Sequence, residues 1–190
     1  MAESDRARWD ARYRGREEGP GGPSPFVAAL DPVFPRRGRA LDVAGGAGRN
    51  ALWLARRGLD VTLTDISGVA LEIAAAHAAA QDLRVTGLRL DLETEPLPTG
   101  PWSVIVCVHY LWRPLFRAFP ALLAEGGLLV VAHPTRTNLE RHARPGPQYL
   151  LEEGELPTLV PALTIVAYEE GWRNDVHEAR LVARRPAEFL

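Results

Sequence analysis

The sequence contains no lysine, since all 22 of its basic side chains are arginines. A chain without lysine can form neither a Schiff base on a side-chain amine nor a phosphate loop of the P-loop type. It has a single cysteine, Cys107, which excludes an internal disulfide and a cysteine-based zinc site. Because Cys107 lies in the apolar run 104–108, we predict that it is a packed core residue.

Long apolar runs and a strong net charge are also missing. The amino-terminal segment has no apolar stretch of the kind that signal peptides carry, and no run of about 18 apolar residues predicts a membrane span. We therefore expect a cytoplasmic protein with no membrane partner. The net charge of −2 gives no general attraction to nucleic acid. With 190 residues, 46% of them hydrophobic, we expect a single domain with its own core.

From Arg39 onward, short apolar segments alternate with helical ones. We predict strands at 40–43, 59–65, 83–90, 102–108 and 128–132, and helices at 4–14, 25–30, 49–57, 68–80, 114–124 and 152–159. Glycines 126–127 are expected to cap the helix at 114–124. Because parallel strands need crossover connections, the alternation predicts a doubly wound α/β domain of the Rossmann type. Two further strands, at 163–168 and 176–183, are predicted to be antiparallel because their connection is short.

A glycine-rich turn follows the first predicted strand. Residues 46–51, GAGRNA, match the nucleotide-binding pattern G-x-G-x-x-G/A, and Asp65 ends the second strand at the distance expected of a ribose-binding acid. Dinucleotide dehydrogenases and methyltransferases share this pattern. A tight strand-to-helix turn without a ligand is the alternative.

Asp42 helps to separate the two cofactors. A carboxylate just before the glycines would face the charges of a pyrophosphate, but it suits a ligand that carries an ammonium group, such as the methionine end of S-adenosylmethionine. A strand-end residue that accepts hydrogen bonds from nearby backbone amides is the other interpretation of Asp42.

Residues 41–50, LDVAGGAGRN, resemble the first motif of the class I S-adenosylmethionine-dependent methyltransferases, although Ala44 stands where many members have glycine. The similarity continues through Asp65, through residues 91–92 and through the segment 123–130. The opening pattern W-D-x-R-Y at 9–13, with P-S-P-F at 23–26, resembles the amino-terminal lid of the bacterial tellurite-resistance and thiopurine methyltransferase group.

This resemblance implies a seven-stranded sheet in the order 3-2-1-4-5-7-6, with the last strand antiparallel and helices on both faces. It divides the domain into an amino-terminal lid (1–38), a cofactor-binding core (39–133) and a carboxy-terminal part with a loop, a helix and the strand pair (134–190). It implies that Asp42 meets the methionine ammonium, that Asp65 holds the ribose, and that Asp91 and the Leu92 amide contact adenine. The implied cofactor-binding residues are Trp9, Tyr13, Pro25, Asp42, Val43, Ala44, Gly45, Gly46, Gly48, Asn50, Asp65, Ile66, Ser67, Asp91, Leu92, Val108 and His109.

The methyl acceptor is expected to meet the residues that follow the fourth strand. His109, Tyr110 and Arg113 are the catalytic candidates. His109 fits both a general base and a histidine that is hydrogen-bonded for structure, and Arg113 fits both an acceptor-orienting role and a helix cap. His133, at the end of the fifth strand, is a weaker second candidate.

The expected function is methyl transfer to a small molecule by in-line displacement, in a monomer or a homodimer without a metal. The Asn/Asp-Pro-Pro-Tyr and Pro-Cys signatures of nucleic-acid base methylation are absent. Two alternatives stay open. One is an NAD(P)-dependent oxidoreductase that uses the same turn, and the other is an S-adenosylmethionine-binding protein without catalysis.

Overall fold

The computed structural model describes residues 2–15 and 19–187 and contains a seven-stranded sheet. The strands are β1 (Arg39–Val43), β2 (Asp60–Asp65), β3 (Val85–Arg89), β4 (Trp102–Val108), β5 (Leu123–Pro134), β6 (Thr164–Arg173) and β7 (Val176–Arg184). The helices are α1 (Ala2–Arg14), α2 (Pro25–Ala29), α3 (Arg49–Arg56), α4 (Gly68–Ala79), α5 (Arg113–Phe116), α6 (Phe119–Leu122) and α7 (Glu155–Thr158). Single turns of 3-10 helix lie at 31–33, 136–140 and 147–149.

The strand order is β3-β2-β1-β4-β5-β7-β6, as the sequence predicts. The first five strands run parallel, and β7 lies antiparallel between β5 and β6. Because β1 pairs with β2 on one side and β4 on the other, the strand order reverses beside β1. Ligands of doubly wound sheets bind at this reversal, outside the carboxyl ends of the strands.

Side chains of the central strands alternate between the two faces of the sheet, and each face has its own apolar core. Leu41 and Ile105 belong to one core, whereas Ala40 and Val104 belong to the other. Burial on both faces explains why β4 is continuously apolar from Val104 to Val108. Cys107 is fully buried in the first core, and burial raises the pKa of its thiol, which confirms the predicted core residue.

The helix predicted at 114–124 is wrong in its length and its end. The structure has two short helices, α5 and α6, and residues 123–124 already belong to β5. Pro120 explains the break, because it has no N–H to donate to the carbonyl of Phe116. The glycines at 126–127 therefore lie within β5 and cap no helix. Gly127 is needed for packing, since a Cβ there would come within 2.8 Å of the Trp102 carbonyl oxygen.

Among the described residues, no helix is both long enough and apolar enough to span a membrane.

Candidate active site

The carboxyl ends of β1, β2 and β4 bring the predicted site residues to one edge of the sheet. The turn 44–48 joins β1 to α3 there, and its backbone adopts the left-handed region at Ala44 (φ 51°), Gly46 (φ 60°) and Gly48 (φ 83°). Ala44, where many methyltransferases have glycine, thus adopts a conformation that carries a steric penalty of about 1–2 kcal/mol for a residue with a Cβ. Backbone strain of this kind concentrates at functional sites.

Asp42 lies beneath this turn and is 1% exposed. Both of its carboxylate oxygens are buried, and neither has a hydrogen-bond partner among the described residues. Burial raises the pKa of Asp42 to about 7, because the loss of water outweighs the opposing influence of the Ala51 backbone amide and the Arg49 guanidinium. Gly45 must lack a side chain here, since its Cβ would collide with the Asp42 carboxylate and with Leu63. The Ala51 amide is close enough to oppose the pKa shift without making a hydrogen bond of normal geometry, so both interpretations of Asp42 stay open and the carboxylate can still receive a cationic ligand group.

Asp65, at the end of β2, is nearly buried and is held by two backbone amides. The Gly46 N–H donates to its Oδ2 at 2.8 Å, and the Ser67 N–H donates to its Oδ1 at 2.9 Å. Burial raises the pKa of Asp65, while these amide hydrogen bonds oppose that shift. A carboxylate has about four lone-pair sites, so each oxygen keeps one for a further donor. Such a carboxylate can accept hydrogen bonds from two neighbouring ribose hydroxyls.

Helix α1 lies directly over the glycine turn. The Tyr13 hydroxyl occupies the position where a Cβ of Gly46 would project. Trp9, one turn earlier, has its ring centroid 6.3 Å from that of Tyr13. The structure therefore places Tyr13 against the glycine turn, with Trp9 next to it.

Asp10 anchors α1 to the start of α4 and was not predicted as a site residue. Its Oδ1 accepts hydrogen bonds from the Ser67 hydroxyl at 2.6 Å and from the Val69 N–H at 3.3 Å. The hydrogen bond from Ser67 holds the pKa of Asp10 below its ordinary value. Ser67 in turn caps α4, since its Oγ accepts from the Ala70 N–H at 3.1 Å. Asp10 stands inside the W-D-x-R-Y pattern, which was the available sequence signal.

The Pro25 segment is attached to the helix that follows the glycine turn. The Ser24 N–H donates to the Asn50 side-chain oxygen at 2.9 Å. Asn50, a predicted cofactor-binding residue, is buried, and its side chain holds the start of α2 close to the glycine turn.

The adenine side of the predicted site lies beyond β3. The Leu90 N–H donates to the Asp65 carbonyl oxygen at 3.0 Å, which brings the residues after β3 next to the end of β2. Asp91 and Leu92 are nearly buried, and the Asp91 Oδ1 accepts from the Glu93 N–H at 3.1 Å. Of the other predicted cofactor residues, Val43 and Val108 are buried strand ends, and Ile66 is half-buried.

His109 directly follows β4. Its backbone is left-handed (φ 62°), and its ring is half-exposed. Its Nε2 lies 2.8 Å from Glu178 Oε1, and the Arg180 Nε donates to Glu178 Oε2 at 2.6 Å. Burial opposes ionisation of Glu178, but the hydrogen bonds from His109 and Arg180 outweigh it and lower the pKa of that carboxyl. Glu178 and Arg180 were not predicted. Because β7 runs antiparallel, its first residues lie at the carboxyl edge, and their i, i+2 spacing was the available signal.

The remaining acceptor-side candidates differ in what they contact. Arg113 forms a two-pronged ion pair with Glu155 (2.5 and 2.8 Å) and also donates to the Leu150 carbonyl oxygen at 3.0 Å. Tyr110 is half-buried, and burial raises the pKa of its hydroxyl. His133 is buried with its Nε2 2.9 Å from the Tyr149 carbonyl oxygen, and burial lowers its pKa to about 4.

Methyltransferases are found among the known proteins that resemble this chain in sequence and among those that resemble it in structure. Residues 40–127, a little under half of the chain, match the family described as "Methyltransferase domain". A ubiquinone biosynthesis O-methyltransferase from a Caulobacter species is 36% identical over 106 residues. That alignment covers 52% of this chain and only 42% of the relative, so the chain spans less than half of the length of the curated protein it matches.

Three solved structures share most of the fold. One describes the conversion of a disulfide bond into a thioacetal group during echinomycin biosynthesis (TM-score 0.75, 20% identity, 97% of this chain and 94% of the other). Magnesium protoporphyrin IX methyltransferase from Synechocystis with bound SAH has a TM-score of 0.71 at 16% identity, over 97% and 99% of the two chains. TehB from Haemophilus influenzae has a TM-score of 0.71 at 17% identity, over 84% and 61%.

These structures share the fold of this chain, whose strand order is β3-β2-β1-β4-β5-β7-β6. The chain has the Rossmann-like fold of the S-adenosylmethionine-dependent methyltransferases, and its residues 40–127 match the methyltransferase domain.

Proposed function

We propose that this chain is an S-adenosylmethionine-dependent methyltransferase that acts on a small molecule by in-line displacement. The observation that carries the proposal is Asp42, a buried carboxylate with both oxygens unpartnered beneath the glycine turn. A buried carboxylate is stabilised by a cation, which the ammonium group of the methionine moiety supplies. The pyrophosphate of NAD(P) would instead add negative charge, which disfavours the oxidoreductase alternative.

The remaining cofactor contacts follow from the geometry of the site. The Asp65 carboxylate accepts hydrogen bonds from the two ribose hydroxyls. Ile66, Asp91 and Leu92 border the adenine ring. When bound, the cofactor supplies a methyl group on a positively charged sulfur. The protein positions this group and the acceptor and excludes water, which favours a reaction between an anionic nucleophile and a sulfonium. Helix α1, held by Asp10 and carrying Trp9 and Tyr13, is the element that covers the site.

The finer assignment extends the same proposal. We place the chain near the tellurite-resistance and thiopurine methyltransferase group, supported by the lid pattern at 9–13 and by the fold shared with TehB. We expect a cytoplasmic monomer or homodimer that uses no metal and binds no nucleic acid. The relative named an O-methyltransferase supports an oxygen acceptor. His109 and Tyr110 follow β4, and they are the residues that we expect to meet the acceptor.

Calorimetry with S-adenosylhomocysteine and with NADH tests the cofactor. We expect binding of S-adenosylhomocysteine and none of NADH, and the reverse result would support the oxidoreductase. Asp65→Asn should weaken the binding by roughly 1–3 kcal/mol, because it removes charge-assisted hydrogen bonds. An assay of S-adenosylhomocysteine release across phenols, thiols, amines, carboxylates and tellurite tests catalysis. Binding without turnover on every acceptor would favour the non-catalytic alternative.

A further inference from the structure

Glu178 is the hydrogen-bond partner that selects the tautomer of the His109 ring. Its two oxygens are each engaged, one by the His109 Nε2 at 2.8 Å and the other by the Arg180 Nε–H at 2.6 Å. The Glu178 side chain is 8% exposed, so water competes little for these contacts. An ionised carboxylate can only accept hydrogen bonds. In the contact between His109 and Glu178, the proton must therefore sit on Nε2, and the neutral ring keeps an unprotonated Nδ1.

The backbone at His109 supports a functional placement of this ring. His109 has a left-handed backbone, which is uncommon for a residue other than glycine. Such strained conformations concentrate at active sites and ligand-binding sites. The His109 N–H continues the sheet by donating to the Ala132 carbonyl oxygen at 2.8 Å, while the ring is half-exposed at the carboxyl edge. The strand end is thus fixed, and the ring is available to a small molecule.

Three arginines on the acceptor side of this edge are paired with carboxylates. Arg113 is paired with Glu155, and Arg136 with Glu152 at 2.6 Å. Arg180 is paired with Glu178. These pairs reduce the attraction of this side for an anion. A neutral acceptor suits it better.

Aromatic side chains border the same region. Tyr110 and Trp112 follow His109 and pack partly against the first core, and the Phe26 ring lies 5.4 Å from the Arg180 guanidinium. Flat aromatic surfaces favour an aromatic acceptor over a small inorganic anion.

We propose that Glu178 is a positioning residue that holds His109 as a general base, and that the acceptor is a neutral phenol-type hydroxyl. This inference rests on the proposed methyltransferase function. The acceptor hydroxyl gives its proton to His109 Nδ1, and its oxygen forms a bond to the methyl carbon. The carbon–sulfur bond breaks with its electron pair left on sulfur, so that S-adenosylhomocysteine leaves as a neutral thioether. Glu178 stabilises the resulting imidazolium.

The first test needs neither cofactor nor acceptor. Nitrogen-15 NMR of the wild-type protein, under conditions where the His109 ring is neutral, reports which ring nitrogen carries the proton. We expect the Nε2-protonated form. A ring protonated at Nδ1 would overturn the positioning role, whatever the enzyme is found to methylate.

The second test compares Glu178→Gln with Glu169→Gln on two phenols, one neutral and one already ionised at the assay pH. Glu169 is the matched control because it also contacts Arg180, at 3.4 Å, and does not contact His109 in the described residues. We expect Glu178→Gln to lower kcat on the neutral phenol by at least about tenfold, within the range of general-base effects, with little change in KM or on the ionised phenol. Glu169→Gln should behave like wild type.

An equal loss on both phenols would show a merely structural role for Glu178 and overturn the proposal. Turnover of tellurite or ionised acceptors alone would overturn the acceptor class. Failure to bind S-adenosylhomocysteine in calorimetry would instead overturn the proposed function. The NMR result would still report whether Glu178 fixes the His109 tautomer, because that experiment needs no cofactor.

Discussion

The Tyr13 hydroxyl lies against Gly46, in the space that any side chain at position 46 would need. This contact joins the amino-terminal helix to the turn that we propose binds the cofactor. Two features favour glycine at position 46. Its φ of 60° penalises a residue with a Cβ, and the Tyr13 hydroxyl fills the space that a Cβ would need.

Gly46→Ala should therefore weaken both folding and cofactor binding. The left-handed backbone predicts a loss of about 1–2 kcal/mol in the free energy of unfolding, and displacement of Tyr13 should weaken S-adenosylhomocysteine binding in addition. Gly154→Ala is the matched control, because Gly154 has a φ of 69° and a Cβ there would meet nothing within 4 Å. Urea unfolding and calorimetry measure the two effects. Equal binding by the two variants would contradict the contact.

Asp42 should make the stability of the ligand-free protein fall as pH rises. Its folded-state pKa of about 7 lies above its ordinary value of 3.8, so the folded protein holds this proton more tightly than the unfolded chain does. The free energy of unfolding should therefore drop by up to a few kcal/mol between about pH 4 and pH 7 and then level off. Asp42→Asn should remove this drop in urea-unfolding curves. Parallel curves for the variant and the wild type would contradict a raised pKa.

Asp10 should control how long the cofactor stays bound. Asp10→Asn weakens the hydrogen bonds to Ser67 and Val69 that fasten α1 over the site, so S-adenosylhomocysteine should dissociate several-fold faster in stopped-flow measurements. Asp5→Asn is the control, because Asp5 lies on the same helix and pairs with Arg8 at 3.0 Å. If both variants release the ligand at the wild-type rate, α1 does not act as the cover.

Arg113 should contribute to folding rather than to acceptor binding. Arg113→Gln breaks the ion pair with Glu155, which is partly exposed, so we expect a loss of roughly 1 kcal/mol in the free energy of unfolding. The acceptor KM should stay within about twofold of wild type. A large rise in KM without a loss of stability would instead support the acceptor-orienting role.

The sheet, and the position of the glycine turn and Asp65 at its carboxyl edge, were predictable because their signals are local. Continuous apolar strands, crossover helices and an acid at the end of β2 specify a doubly wound sheet and its ligand edge. Pro120 shows the limit of such patterns. The sequence of 114–124 indicated one helix, but the structure has two short helices there because Pro120 lacks the N–H that a continuous helix needs.

The acceptor side was harder because its partners are distant in sequence. Glu178 meets His109 across 69 positions, and that contact depends on the direction of β7 and its register against β5. The left-handed backbone of Ala44 could be inferred only from the glycine that many of the methyltransferases it resembles have at this position, because alanine itself does not mark such a conformation. The contact between Asp10 and Ser67 depends on where α1 packs, which helix propensity does not specify.

Calorimetric titration of S-adenosylhomocysteine at pH 7, in two buffers of different ionisation enthalpy, tests the central claim most directly. If Asp42 receives the ammonium group, its raised pKa must fall on binding, so wild-type protein should bind and release about half a proton. Asp42→Asn should bind at least about tenfold more weakly and without that release, the scale expected for losing a charge-assisted partner. Wild-type affinity in Asp42→Asn, or binding of NADH in place of S-adenosylhomocysteine, would contradict the account.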